Sequence, residues 1–337
     1  MPRQRSILTS VAATILIGWL VVASLHAGDG EPAQTPPTVS FTAGDLEVLQ
    51  LRPTFYMIAG AGGNVAVQIG EDGIVVVDAG AAAKTEAVLD AIRRVTRAPI
   101  RYVLNTSADA DHVGGNAAIA KAGRSLDVRS TTTSLAQFAS IVAPTNVLAR
   151  MSAPTAGAPP FPEDGWPIET FDSGRKAMYL NGEGIEILHV PRAHTDGDAI
   201  VFFRRSDVIV AGDVFDTTRF PAIDLARGGS VQGELAALNR IVEMAIPSVP
   251  VVTREAGTLV VSGHGRVGNQ FDVIHYRDML TIIRDRVRAS IDAGLTLEQI
   301  QAAAPTQGFT GRYGSASGAW TTNMFVEAVY RSLREAR

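Results

Sequence analysis

The sequence predicts an α/β protein with helices packed outside two sheets. Three observations carry that reading. Short strand-like runs bounded by Gly or Pro recur in both halves of the chain. Stretches with apolar residues on a helical period stand between them. In both halves, His or Asp residues beside Gly or Ala follow directly on strand ends, as when tight loops point side chains at a shared place.

Taken in order, residues 1–27 read as a targeting segment. Arg3 and Arg5 precede an apolar stretch, Ile7–Ala23, and small residues follow at Ala23, Ser24 and Ala27. Two readings fit: cleavage after Ala27, or an uncleaved anchor, the run being at the short edge of what spans a bilayer. Both place the domain outside the cytoplasm, periplasmic or secreted, with membrane contact only through this segment. Residues 28–43, rich in Pro, Gly and Thr, read as a disordered linker, and 44–337 as the folded domain.

Leu46–Leu51, Phe55–Ile58, Val65–Ile69 and Ile74–Val77 read as strands, the last continuously apolar as if covered on both faces. Ala81–Thr96 carries Val88, Ile92 and Val95 on a helical period, and Ile100–Leu104 is a further buried-type strand. The second half repeats the theme: strands at Ile185–Val190, Ala199–Phe203 and Val208–Ala211, a helix around Gly233–Ala245, then a strand at Leu259–Ser262. Between the halves, Pro144–Pro167 shows no periodicity and fits either an active-site flap or a long connection. The tail carries two amphipathic helices, Phe271–Ala293 and Gly318–Arg337.

Composition narrows the function. A net charge of −4, with no long basic run after the N-terminal segment, argues against nucleic acid as a partner and leaves a small-molecule substrate. The chain has no cysteine, so it has neither disulfides nor thiolate metal ligands. No Gly-x-Ser-x-Gly elbow is present, and the GAGG at Gly60–Gly63 lacks the Lys and Ser/Thr of a phosphate loop.

Four fragments carry the chemistry: NTSADADHVGGN at Asn105–Asn116, AHTDGD at Ala193–Asp198, AGDVF at Ala211–Phe215 and SGHGRVG at Ser262–Gly268. They supply Asp109, Asp111, His112, His194, Asp213 and His264. This all nitrogen-and-oxygen donor set suits zinc, iron or manganese.

In order and context the fragments resemble the metallo-β-lactamase superfamily, over roughly Asp45 to the C-terminus. That family's first motif is His-x-His-x-Asp-His between Asn-Thr and Gly-Gly-Asn. Here the flanks Asn105, Thr106, Gly114, Gly115 and Asn116 are intact, while Ser107 and Asp109 stand where the leading histidines are expected. The resemblance implies a four-layer αββα sandwich with a metal site at one sheet edge. It also implies one complete ligand set, Asp111, His112 and His264 with Asp213 shared, and one depleted set of His194, Asp213 and Asp109. One firmly held ion is therefore expected, zinc with iron or manganese as alternatives, and a weak or absent second. Asp78 is expected to buttress the ligand loops.

Each residue also has a plainer reading. His112 and His264 fit satisfied core histidines, Asp111 a helix N-cap, and Asp213 a turn Asp. Asp109 fits a ligand, a carboxylate approaching the ion from the other side, or a partner for a cation. Ser107 is a poor ligand, and His189 and His275 read as structural. Arg266 reads equally as a contact for an anionic substrate and as a surface residue. With an ion in place, Asp111 or Asp109 would orient the attacking water and carry its proton. Three functions follow: an exported metal-dependent hydrolase of an ester, thioester, lactone or amide; a pseudoenzyme or small-ligand binding protein; or redox chemistry at a mononuclear iron.

Overall fold

The computed structural model describes residues 40–126, 137–153, 161–248 and 257–335. The targeting segment and residues 28–39 of the linker lie outside them. Eight strands form the first sheet in chain order: β1 (Ser40–Ala43), β2 (Leu46–Arg52), β3 (Phe55–Ala59), β4 (Val65–Gly70), β5 (Gly73–Val77), β6 (Ile100–Leu104), β7 (Ser140–Pro144) and β8 (Glu169–Phe171). Pairing is antiparallel up to β5 and parallel from β5 to β8. The second sheet takes β9 (Arg175–Leu180), β10 (Glu183–His189), β11 (Ala199–Phe203), β12 (Val208–Val210), β13 (Leu259–Val261) and β14 (Gly268–Asn269), with only β12 and β13 parallel.

Nine helices accompany them among the described residues: α1 (Thr85–Val95), α2 (Ala110–Val113), α3 (Asn116–Ala122), α4 (Thr145–Ser152), α5 (Val231–Met244), α6 (Gln270–Asp292), α7 (Leu297–Ala302), α8 (Thr310–Tyr313) and α9 (Thr322–Glu335). Side-chain alternation sorts the layers. On β5, Ile74 and Val76 pack with α1 residues Val88 and Ile92, while Val75 and Val77 face the second sheet. On that sheet, Val201, Val208 and Val210 meet them, and Ile200, Ile209 and Val260 face α5, α6 and α9. Phe55 and Phe203 meet edge to face across the inter-sheet core, their ring centroids 4.8 Å apart. The result is helix, sheet, sheet, helix, and the expected α/β sandwich is the observed one.

Several expectations need correction. Ser40–Ala43, assigned to the linker, pairs with Leu46–Leu49 as β1. Pro144–Pro167, open between a flap and a long connection, holds α4 in its described part, whose Val147 and Met151 pack under the ligand loop against Ala108 and Val113. Strands β7, β8 and β9 and the short α7 and α8 add to the expected elements.

Candidate metal centre

All the candidate donors sit past strand C-termini at one end of the sandwich. β6 leads into Asp109, Asp111 and His112, and β10 into His194. β12 leads into Asp213, and β13 into His264. The hairpin turns at the opposite end, around Pro53, Asp72, Asn181 and Ser206, line a larger cavity of about 990 Å³ with no histidine in its walls. Chemistry therefore belongs to the smaller cleft, about 530 Å³, which Asp109, Asp111, His194 and Asp213 line.

The six side chains form two groups, Asp111 with His112 and His264, and Asp109 with His194 and Asp213; within each, the donor atoms lie within 4.8 Å of one another. In the first-named group, His264 Nε2 lies 3.3 Å from Asp111 Oδ2 and 3.2 Å from Asp213 Oδ1, and His112 Nε2 lies 3.3 Å from Asp213 Oδ1. His112 Nε2, His264 Nε2 and Asp213 Oδ1 are all buried, and none has a hydrogen-bond partner. Buried polar atoms without partners are costly. Donors about 2.0–2.1 Å from a tetrahedral divalent ion stand about 3.3–3.4 Å apart, which is the spacing seen here. The residues present fit an ion.

The other group is arranged differently. His194 Nε2 is 2.6 Å from Asp109 Oδ2, a hydrogen bond and too close for two donors on one ion. Asp109 Oδ1 accepts from Arg227, whose Nε donates to Asp224 Oδ2 at 2.7 Å. Asp109 is thus paired with a cation, one of the three readings open for it, while its donor atom stays within 4.8 Å of those of His194 and Asp213. Ser107 is buried and accepts from the Asp109 backbone N–H at 3.2 Å, shaping the loop and joining neither group.

Asp78 buttresses the centre. Its φ of +62° is a left-handed conformation that few non-glycine residues adopt, and it turns the carboxylate back under the β6 loop. Oδ1 accepts from Thr106 N at 2.8 Å and Oδ2 from Thr106 Oγ1 at 2.6 Å, while His112 Nδ1 donates to Oδ2 at 2.8 Å. That bond leaves His112 Nε2 free as a donor atom. The Gly60–Asn64 loop braces both sides. Gly63 N–H donates to Asp111 O, Asn64 N–H to Gly263 O, and the Asn64 amide to Ser262 O and Gly265 O. At Gly263 a Cβ would stand 2.4 Å from Asp213 Oδ1, so only glycine lets the β13 turn approach that carboxylate.

Electrostatics follow from this crowding. Burial alone would lower the His112 pKa, but the Asp213 and Asp78 carboxylates outweigh it and hold it well above the usual value. For His194, burial is likewise outweighed, by the Asp109 hydrogen bond and by Asp198 and Asp213, and the value rises to about 10. His264 moves up in the same way through Asp213. Burial would raise Asp213, yet the surrounding histidines hold it well below the carboxylate range. Asp109 is also held low, His194 and Arg227 overcoming its burial.

Three residues at the cleft carry no sequence signal: Arg227, its clamp Asp224, and Arg219, which pairs with Asp216 at 2.7 Å and stands 3.8 Å from Asp213 Oδ1. Arg266 is engaged by Asp272 and more than half exposed, which fits a surface residue. His189 Nε2 meets Asp196 O at 2.8 Å, and His275 lies exposed on α6.

Two sheets between helix layers, with imidazoles and carboxylates converging past the strand ends, define a hydrolase-type architecture with a candidate metal centre. The metallo-beta-lactamase superfamily model matches residues 59–249, and the chain belongs to that superfamily. Among solved structures it is similar to a stereoselective inverting sec-alkylsulfatase from Pseudomonas sp., with TM-score 0.60 and 16% identity, covering 84% of this chain and 49% of that one. It is also similar to a metallo-beta-lactamase from Pontibacter korlensis, with TM-score 0.52 and 17% identity, covering 70% of this chain and 99% of that one. The chain thus spans about half the length of the alkylsulfatase. At these identities the likeness speaks to the fold. No curated protein matches the chain.

Proposed function

We propose that the protein is an exported metal-dependent hydrolase of an ester, thioester, lactone or amide, holding its ion on Asp111, His112, Asp213 and His264. One observation carries this reading: three donor spacings of 3.2–3.3 Å around three buried atoms that lack any other partner. When bound, a divalent ion supplies Lewis acidity and makes water nucleophilic at neutral pH. Zinc suits the mixed imidazole and carboxylate donors, and iron or manganese are alternatives.

The chain's own residues do the rest. Asp111 is the donor most open to the cleft, its side chain 38% exposed, and we assign it the orientation of water and the transfer of its proton. Asp109 does not share that role, because His194 and Arg227 engage both of its oxygens. Asp78 fixes the tautomer of His112 by accepting from Nδ1. The far wall of the cleft, formed by Ile223, Leu225, Trp320 and Met324, offers apolar contact to a small-molecule substrate.

Purified protein should contain about one equivalent of metal and hydrolyse at least one member of an ester, thioester, lactone and β-lactam panel, losing activity on chelation. A metal-free preparation after growth with ample metals would contradict the proposal. Turnover of none of the panel by the loaded protein would favour the pseudoenzyme reading, which the Asp109–Arg227 pair supports at its own group. Export rests on residues 1–27; fractionation and N-terminal sequencing test it.

A further inference from the structure

We infer that the Arg227 guanidinium occupies the charge position of a second ion, so that the centre takes one ion and loss of this side chain makes it take two. The inference rests on the metal-binding reading above and names the residue that limits its stoichiometry.

The two donor groups differ in kind. Around His112 and His264 the donors stand apart by 3.2–3.3 Å with orphaned atoms between them. Around His194 the donors have closed on each other: Asp109 Oδ2 lies 2.6 Å from Nε2, and neither residue has a buried atom without a partner. The charge that an ion would supply comes instead from Arg227, on the opposite oxygen of Asp109.

This guanidinium is built into place. It ends the single 3-10 turn Leu225–Arg227, whose preceding residue Asp224 accepts from the Arg227 backbone N–H at 3.0 Å and from Nε at 2.7 Å. Arg227 O accepts from Asp196 N–H at 2.9 Å, and Gly228 leaves the turn at φ +85°. Backbone anchors at Arg227 N–H and O, with the Asp224 carboxylate on Nε, therefore aim the side chain at Asp109. Cation pairing holds Asp109 anionic and draws it away from an open ligand geometry, and a fixed positive charge opposes a second divalent ion beside it. His194 Nε2 still lies only 3.8 Å from Asp213 Oδ2, so three donors remain in reach once the cation leaves.

The test is metal stoichiometry, measured by elemental analysis and by cobalt(II) absorption, on the full chain after chelation and reloading. Wild type should hold one ion per chain; Arg227→Met and Arg227→Gln should each hold two, with a second cobalt band set. A wild type that takes two ions overturns the inference and leaves the hydrolase proposal intact, as does either folded neutral variant that still takes one. A wild type that takes none overturns both. Circular dichroism establishes that each variant is folded, and the two substitutions differ enough in polarity that one compensates for misfolding of the other.

Discussion

His112 shows how much of this centre is decided by single side chains. Its Nδ1 is committed to Asp78, and its Nε2 is buried beside Asp213 with nothing else to bond. Asp78→Asn keeps the size of the side chain but weakens its hold on the ring. Ion affinity should fall about 10–100-fold, read by competition with a chelator, while far-ultraviolet dichroism stays unchanged. Titration offers a second handle. Burial would lower His112 and His264, but the carboxylates raise both, so the ion-free imidazoles keep their protons to higher pH than free histidines and an ion must displace them. Loading should release protons and tighten as pH rises, seen in calorimetry as an observed enthalpy that depends on the buffer. A buffer-independent enthalpy would contradict this assignment. The donors themselves were legible in the sequence because each lies in a short glycine-flanked fragment. Arg227, Asp224 and Arg219 were not, because a cation that reaches a site from a remote turn leaves no local pattern.

At the scale of elements, α5 carries an internal conflict. Glu234, in its first turn, is fully buried, and neither of its carboxyl oxygens has a hydrogen-bond partner. Burial, reinforced by the Asp198 carboxylate, holds it well above its ordinary 4.5. A raised folded value means that the cost is small below the unfolded pKa and grows as pH climbs toward the folded one. Glu234→Met should therefore stabilise the protein at pH 8 by about 1–3 kcal/mol, with the gain shrinking toward pH 4. Urea unfolding of both proteins at the two pH values measures it. Elsewhere, element legibility follows burial. The continuously apolar β5 and the periodic α1 and α6 are plain in the sequence, whereas β9 (RKAMYL) opens on two adjacent charges and buries only its last residue, and β7 (SIVAP) merges into the proline-rich stretch after it. Sheet contacts override weak local propensity in both.

Across the whole molecule, the centre joins two halves of the chain. Asp111 and His112 follow strand β6 of the first sheet, while Asp213 and His264 follow strands of the second. An ion held by all four ties the sheets together at one end, so binding is linked to folding. Ligand at 100 times its dissociation constant contributes about 2.7 kcal/mol. Chelation should lower Tm by several degrees, and readdition should restore it; an unchanged melting curve would place the ion outside the fold's cooperative unit. Helices outside two sheets were legible from strands alternating with helical stretches, and the four-layer order only through the family resemblance that the ligand fragments carry.

The brace formed by Gly60–Asn64 has a mechanical consequence. One short hairpin connection grips the backbone behind Asp111 with Gly63 and the backbone on both sides of His264 with Asn64. Sliding of one sheet over the other would have to break the Asn64 grips before it could widen the gap between the paired jaws. The sandwich thus behaves as a vice whose screw is a single asparagine, set far along the chain from every group it aligns.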